Sequence, residues 1–209
     1  MSKGITIILS GFAGTGKGTV VKRLIEKYNN YALSISATTR KPRGVEVDGK
    51  EYFFKTVEEF ETMIKEDKLI EYANYVGNYY GTPKEYVDEQ LNKGKDVILE
   101  IEFQGALKVK EKDPNVLLVF LTPPSAAELK KRLVGRGTED MNTINARLKQ
   151  ATVEASFMDK YDYLLVNDEI ESCVDELHNI IQAEHNSVNR NTEKINNIRE
   201  DMKIFSEGE

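Results

Sequence analysis

The 209-residue sequence holds no tryptophan, one cysteine and two histidines. The single cysteine, Cys173, cannot close an internal disulfide. It suits a reducing compartment, and the simplest reading is a small buried hydrophobe. His178 and His185 stand seven apart, without the i,i+4 spacing or third ligand of a metal site, so both read as surface residues. No run reaches the roughly 18 apolar residues that a membrane helix needs. The first apolar stretch, Ile5-Thr6-Ile7-Ile8-Leu9, is short and no cleavage-like segment follows it. It reads as a buried strand rather than a signal peptide, and the chain is expected to be cytoplasmic, with no membrane partner. Excess positive charge is also absent. The net charge of −6 argues against nucleic acid as a partner. Small anionic ligands are not excluded, because they need only a local cluster of cations.

Four apolar runs read as buried parallel strands: Ile5–Leu9, Val97–Ile101, Val116–Leu121 and Tyr163–Val166. Helical patterns separate most of them, which predicts an α/β fold with a parallel sheet covered on both faces. Thr56-Val-Glu-Glu59 and Ser125-Ala-Ala-Glu128 have the form of capping boxes. Thr82-Pro83-Lys84-Glu85 puts proline at a first helical position and Gly94 closes that helix. A last helix of the domain is expected from Ile170 to about His185. Two stretches interrupt the alternation and read as inserts on the sheet. One runs from about Ser34 to Leu91, with short strand-like pieces, a helix and many tyrosines. The other runs from about Ser125 to Asp159 and is helical, with a break at Gly135-Arg136-Gly137. Beyond Asn186 the tail is polar, but Val188, Ile195, Ile198, Met202 and Phe205 recur on one helical face. That face is expected to pack on its own domain or on a sister subunit in a homo-oligomer.

Glycine clusters where chemistry is expected. After the first strand come Ser10-Gly11-Phe12-Ala13-Gly14-Thr15-Gly16-Lys17-Gly18-Thr19, and then a helical pattern. A strand, a glycine loop and a helix N-terminus together make an anion cradle: glycines let the amides face a phosphate, and Lys17 adds a full charge. The pattern departs from G-x4-G-K-[ST] at Gly18, so the hydroxyl that would meet Mg²⁺ falls to Thr19 or to water. Ser36-Ala37-Thr38-Thr39-Arg40-Lys41-Pro42-Arg43 offers two arginines on a stiffened segment, suited to gripping one phosphate; a solvated basic loop would look the same. Tyr52, Glu71, Tyr80 and Thr82 lie in segments rich in aromatics and hydroxyls. A carboxylate such as Glu71 suits guanine, whose N1–H and exocyclic amino group are both donors, although such tyrosines also occur as half-buried packing residues. Glu100 and Glu102 close an apolar strand at alternate positions, which puts both on one face at the ligand end of a parallel sheet. One can order Mg²⁺ through water while the other meets an acceptor. Arg132, Arg136 and Arg147 could fold over a triphosphate, neutralise it and exclude water; an ordinary basic helix face is the alternative.

In order and spacing, Gly11–Thr19, Ser36–Arg43, Gly77–Thr82, Leu99–Gly105, Gly135–Gly137 and Val166-Asn167-Asp168 resemble the guanylate kinases, over roughly residues 4 to 186. The resemblance implies a P-loop core with a five-stranded parallel sheet (1–35, 95–124 and 160–186), a GMP-binding insert (36–94) and a helical lid (125–159). The tail, 187–209, lies outside it. It implies transfer of the γ-phosphoryl group of ATP to GMP, and also to dGMP, with Mg²⁺ as cofactor. By position, Ser36, Arg40, Arg43, Tyr52 and Tyr80 would hold the GMP phosphate and its surroundings. Glu71 and Thr82 would read guanine, Glu102 would lie near the base and Glu100 near the metal. Lys17, Arg40, Arg132, Arg136 and Arg147 would be catalytic, and Asn167 would lie at the donor adenine edge. A kinase acting on AMP, UMP or a non-nucleotide alcohol is the nearest alternative. A GTPase would need an Asn-Lys-x-Asp tetrad, which the sequence lacks. A non-catalytic scaffold would tend to have lost Gly11, Gly14, Gly16 or Lys17.

Overall fold

The computed structural model describes residues 3–75, 77–137 and 139–205. The first apolar run forms β1 (Thr6–Gly11). The chain continues through α1 (Lys17–Lys27), β2 (Tyr31–Leu33), β3 (Ala37–Thr38), β4 (Phe53–Phe54), α2 (Val57–Lys65), β5 (Leu69–Tyr75) and β6 (Asn78–Pro83). Then come α3 (Lys84–Asn92), β7 (Asp96–Leu99), α4 (Phe103–Lys112), β8 (Leu117–Thr122), α5 (Ala126–Gly135), α6 (Met141–Ala155), β9 (Tyr163–Val166), α7 (Ile170–His185) and α8 (Thr192–Met202). Five strands pair in parallel in the order β2-β7-β1-β8-β9. The apolar pattern gave four of them; β2 is a three-residue edge strand, too short to carry a pattern of its own.

Strand alternation divides β1 between two cores. Ile7 and Leu9 face α1 and α7, against Val20, Leu24, Val174 and Leu177. Ile8 faces the other way, against Val87 and Leu91 of α3 and Val109 of α4. Thus α3 packs on the main sheet, although it falls within the 36–94 span. Cys173 is buried in the first core, as expected. A third core joins Phe12 and Phe120 to Leu129, Leu133 and Ile144, which seats α5 and α6 over the end of the sheet. Gly137, in a left-handed conformation at φ 61°, turns the chain between those two helices.

The inserted layer is a second sheet, β4-β3-β6-β5, around Phe60 and Ala37. Phe60 stacks on Tyr79 at 5.2 Å. Gly81 is required there, because a Cβ would come within 2.7 Å of the Glu71 carbonyl oxygen. At α2 the Thr56–Glu59 capping box is complete: the Glu59 amide donates to Thr56 Oγ1 at 3.1 Å, and the Thr56 amide donates to Glu59 Oε2 at 2.7 Å. The second expected box is only half formed. Ser125 Oγ accepts from the Glu128 amide, but Arg132 takes the Glu128 carboxylate at 2.9 Å. Pro83 is the residue before α3 rather than its first helical residue.

Two expectations need correction. Strand alternation does not set Glu100 and Glu102, because β7 ends at Leu99; Glu100 lies in the turn and Glu102 is the N-cap residue of α4. The histidines are half-buried structural groups rather than surface residues. His178 stacks on Tyr28 at 3.8 Å and shares a 2.7 Å hydrogen bond with the Tyr31 hydroxyl. His185 Nε2 lies 2.9 Å from Asp96 Oδ1, and the buried Asp96 also accepts the Ile5 amide. No helix among the described residues is long and apolar enough to cross a membrane.

Candidate active site

At the C-terminal end of β1 the chain turns through Gly14 and Gly16, at φ 93° and 89°, conformations in which a side chain would be strained. Space excludes side chains as well. A Cβ on Gly14 would lie 2.9 Å from Leu133, and one on Gly16 would lie 2.9 Å from Asn167 Nδ2. That amide donates to the Thr15 carbonyl at 2.7 Å, while Thr15 Oγ1 donates to the Phe12 carbonyl at 2.9 Å. The loop is therefore held in shape before any ligand arrives. Lys17 Nζ donates to the carbonyls of Gly11 and Phe12. Burial pushes its pKa down, while Glu100, Glu154 and Glu102 favour its charge. Phe12, Ala13, Gly14, Thr15, Gly16, Lys17, Gly18 and Thr19 line one cavity of about 790 Å³ with Glu100, Arg136 and Arg147. An adjoining hollow is lined by Gly14, Thr19, Arg132, Arg136 and Asn167.

The three expected arginines converge on this region, each by a different route. Arg132 on α5 donates to the Asn167 carbonyl at 2.8 Å and is held by Glu128. Arg136 follows the last residue of α5 and is exposed beside the loop. Arg147 on α6 pairs with Glu139, and its Nε is buried without a partner.

A second cavity, of about 760 Å³, opens between the inserted sheet and α4. Ser36, Tyr52, Glu71, Tyr80, Glu100 and Glu102 line it. Glu71 accepts the Thr82 hydroxyl at 2.8 Å through Oε1. Its Oε2 lies 3.6 Å from the Cβ position of Gly105, where no side chain stands in the way. Removal of water raises the Glu71 pKa, and the Thr82 hydrogen bond opposes that shift. Tyr52 and Tyr80 meet edge to face at 6.2 Å. Arg40 stands 5.2 Å from the Tyr52 ring centroid and is clamped by Glu46 through two 2.9 Å hydrogen bonds. Arg43 is exposed, and its backbone amide donates to the same Glu46 carboxylate at 2.7 Å. Arg40, Arg43 and Thr82 thus support this cavity from behind or beside rather than lining it.

Glu100 belongs to both cavities. Its side chain is open to the cleft, yet crowding by neighbouring atoms strips away enough water to raise its pKa, against the pull of Lys17. The two cavities therefore meet at one carboxylate.

Comparison with known proteins decides the family. The guanylate kinase family model matches residues 3–184. Guanylate kinase of Lactococcus lactis subsp. lactis (strain IL1403) is 51% identical, over 97% of this chain and 98% of that one. Guanylate kinase of Halalkalibacterium halodurans is 54% identical, over 95% of this chain and 97% of the relative. The chain belongs to the guanylate kinase family. The crystal structure of guanylate kinase from Anaplasma phagocytophilum superposes with a TM-score of 0.70, at 36% identity and 90% coverage of each chain.

Three features of the site escape the sequence reading. Gln104 and Lys108 of α4 line the second cavity, and their i,i+4 spacing just past Glu102 was the signal for them. Glu154 on α6 faces Lys17 and Glu102, and burial raises its pKa. Of the acids that hold the arginines, Glu128 stands i,i+4 from Arg132 on α5, whereas only the fold brings Glu139 to Arg147 and Glu46 to Arg40.

Proposed function

We propose that this enzyme transfers the γ-phosphoryl group of ATP to GMP and dGMP, giving ADP with GDP or dGDP, and so serves guanine nucleotide synthesis and recycling. The junction of the two cavities at Glu100 carries the reading. The glycine loop, Lys17 and Asn167 take ATP. The Glu71–Thr82 pair takes guanine: an ionised carboxylate only accepts hydrogen bonds, and guanine's N1–H and amino group offer two donors on one edge. Adenine offers no such pair there. Ser36, Arg40, Arg43, Tyr52 and Tyr80 take the GMP phosphate, and Glu102 stands beside the base.

An oxygen of the GMP phosphate forms the new bond to the γ-phosphorus, and the bond from that phosphorus to the β-bridging oxygen breaks, leaving ADP. The attacking oxygen is already anionic at neutral pH, so no strong base is needed. Alignment and positive charge account for the rate. Lys17, Arg132, Arg136 and Arg147 neutralise the transferring group; Arg40 and Arg43 hold the acceptor's charge. Residues 125–159 act as the lid that brings those arginines over the phosphates and keeps water out.

The residues present fit Mg²⁺. Among the described residues no cluster of three acidic, histidine or cysteine side chains could cage a metal, but Mg²⁺ uses few protein ligands and keeps water and substrate phosphates. Glu100, through water, and Thr19 would hold it, and the ion would supply charge neutralisation between the β and γ phosphates. Gly18 leaves room beside Glu100, whose Oε1 is 3.9 Å from the Cβ position there.

A coupled assay with ATP and Mg²⁺ against GMP, dGMP, IMP, AMP, UMP and CMP tests the reading. Turnover with GMP and dGMP far above the other four is expected. Preference for AMP or a pyrimidine nucleotide refutes it.

A further inference from the structure

The Tyr161 hydroxyl is buried and has no hydrogen-bond partner among the described residues. A fold keeps such a group only where something offsets it. The ring itself is fixed. It meets Phe120 edge to face at 5.1 Å, and it packs between the core that holds α3 and α4 and the core that seats α5 and α6. Burial pushes its pKa up to about 12, the Glu154 carboxylate adding to the rise and Ser10 opposing it. At neutral pH the hydroxyl therefore keeps its proton and can donate it. Ser10 is close, but its own proton goes to the Ile101 carbonyl at 2.8 Å, and its oxygen is not a partner of Tyr161.

The group with acceptor capacity on the other side is Glu154. It stands seven residues after Arg147 on α6, about two turns along the same face. Arg147 lines the cavity at the glycine loop. Glu154 likewise faces Lys17 and Glu102, and it takes a hydrogen bond from Gln150 one turn earlier. A carboxylate in the last turn of a helix meets the negative end of the dipole, and Glu102 is a second like charge. Gln150 and Lys17 stabilise it there. When ATP enters the loop, its phosphates take Lys17 and bring further negative charge beside Glu154. The carboxylate then needs a donor, and the unpaired Tyr161 hydroxyl needs an acceptor. We propose that ATP binding brings Glu154 onto the Tyr161 hydroxyl, and that this hydrogen bond positions α6, and with it Arg147, over the phosphates. The inference rests on ATP occupying the glycine loop, as proposed above. Tyr161 and Glu154 are positioning residues, which act through Arg147 rather than on the nucleotide.

Titration calorimetry with a non-hydrolysable ATP analogue and with GMP, together with Tm and steady-state turnover, tests this. Tyr161→Phe keeps the ring and removes the donor. It weakens the analogue and lowers kcat/KM for ATP by about 10- to 100-fold, the worth of one bond to a charged acceptor. GMP affinity and the ligand-free Tm do not fall. Glu154→Gln, which keeps an acceptor oxygen, loses less than Glu154→Ala. In a chain that already carries Glu154→Ala, the effect of Tyr161→Phe shrinks to within about twofold. Four results overturn the proposal. One is an analogue affinity within twofold of wild type in Tyr161→Phe. Another is a pair of losses that simply multiply in the double variant. A third is coupling of Tyr161→Phe to Ser10→Ala instead of Glu154→Ala. The last is a Tyr161→Phe chain that loses Tm and GMP affinity along with ATP, which would mark a packing role. The analogue titration needs no turnover, so a wild type that binds the analogue without phosphorylating GMP sinks the phosphotransfer reading and leaves this test standing. A wild type that does not bind the analogue overturns both.

Discussion

Replacing Glu71 with glutamine separates guanine reading from every other part of the site. The substitution keeps the shape and removes the charge. In the wild-type chain one carboxylate oxygen already accepts the Thr82 hydroxyl, and both oxygens have acceptor capacity left for the base. A hydrogen bond to a charged group contributes about 1.5–3 kcal/mol. The amide loses one acceptor and points a donor at guanine's donors, so the loss comes to about 2–4 kcal/mol, or roughly 30- to 700-fold in GMP affinity. Calorimetric titration with GMP, and separately with a non-hydrolysable ATP analogue, measures it. ATP binding stays within about twofold, because no ATP contact in the proposed site involves Glu71. IMP adds an internal control. It lacks the exocyclic amino group, so wild type prefers GMP by about one charge-assisted bond, and Glu71→Gln moves that preference toward unity. Stability moves the other way. Burial raises the Glu71 pKa, so the folded state holds this proton more tightly than the unfolded chain does. The contribution of Glu71 to stability is therefore greatest below the unfolded carboxylate pKa and falls as pH rises through the folded value. Glu71→Gln raises the Tm of the ligand-free protein at neutral pH, and the gain disappears on acidification. Unchanged GMP affinity, or equal losses of GMP and ATP, would refute the assignment of Glu71 to the base.

Two further outcomes follow from the phosphate loop. Lys17→Ala lowers kcat/KM by roughly 10³-fold or more, because it removes a charge aimed at the transferring group, and near-normal turnover would refute that role. Asn167→Ala removes the 2.7 Å bond to the Thr15 carbonyl and leaves a buried acceptor unpaired, at a cost of about 1–3 kcal/mol in urea denaturation. KM for ATP rises while KM for GMP holds, and an unchanged ATP KM would show that the loop keeps its shape without this clasp.

The features legible in the sequence are those fixed by neighbours a few positions apart. The run Ile5–Leu9 became the centre of the sheet, and the range Ile170–His185 matched α7 to the residue, because periodicity and end signals are local. The Gly14 and Gly16 turn was legible because only glycine fits its backbone and its packing. The misreadings came from competing partners, one of them near in the chain and the others distant. Glu128 had the spacing to complete a capping box, but a guanidinium one turn along the helix competed for it, and a charged donor wins over a backbone amide. His178 and His185 looked solvent-facing because nothing in α7 reveals Tyr28, Tyr31 or Asp96, which lie some 90 to 150 residues earlier in the chain. The exposed apolar line on the tail was legible as a pattern.

The acids beside the cations explain how one cleft can hold so much positive charge. Lys17, Arg40, Arg132, Arg136 and Arg147 lie around the two cavities and behind them, and without ligand they would repel one another in a cleft poor in water. Each one that is held down has an oxygen partner: Glu46 for Arg40, Glu128 for Arg132, Glu139 for Arg147, and two loop carbonyls for Lys17. Arg136, exposed to solvent, needs none. The three carboxylate partners lie outside the glycine loop, so they orient the arginines without filling it. In the proposed mechanism a phosphate can replace such a partner, because a phosphate dianion offers a guanidinium two parallel charge-assisted bonds. The negative net charge of the chain and its anionic substrates are therefore compatible. The surplus carboxylates act locally, and in the proposed mechanism each gives up its cation to a phosphate.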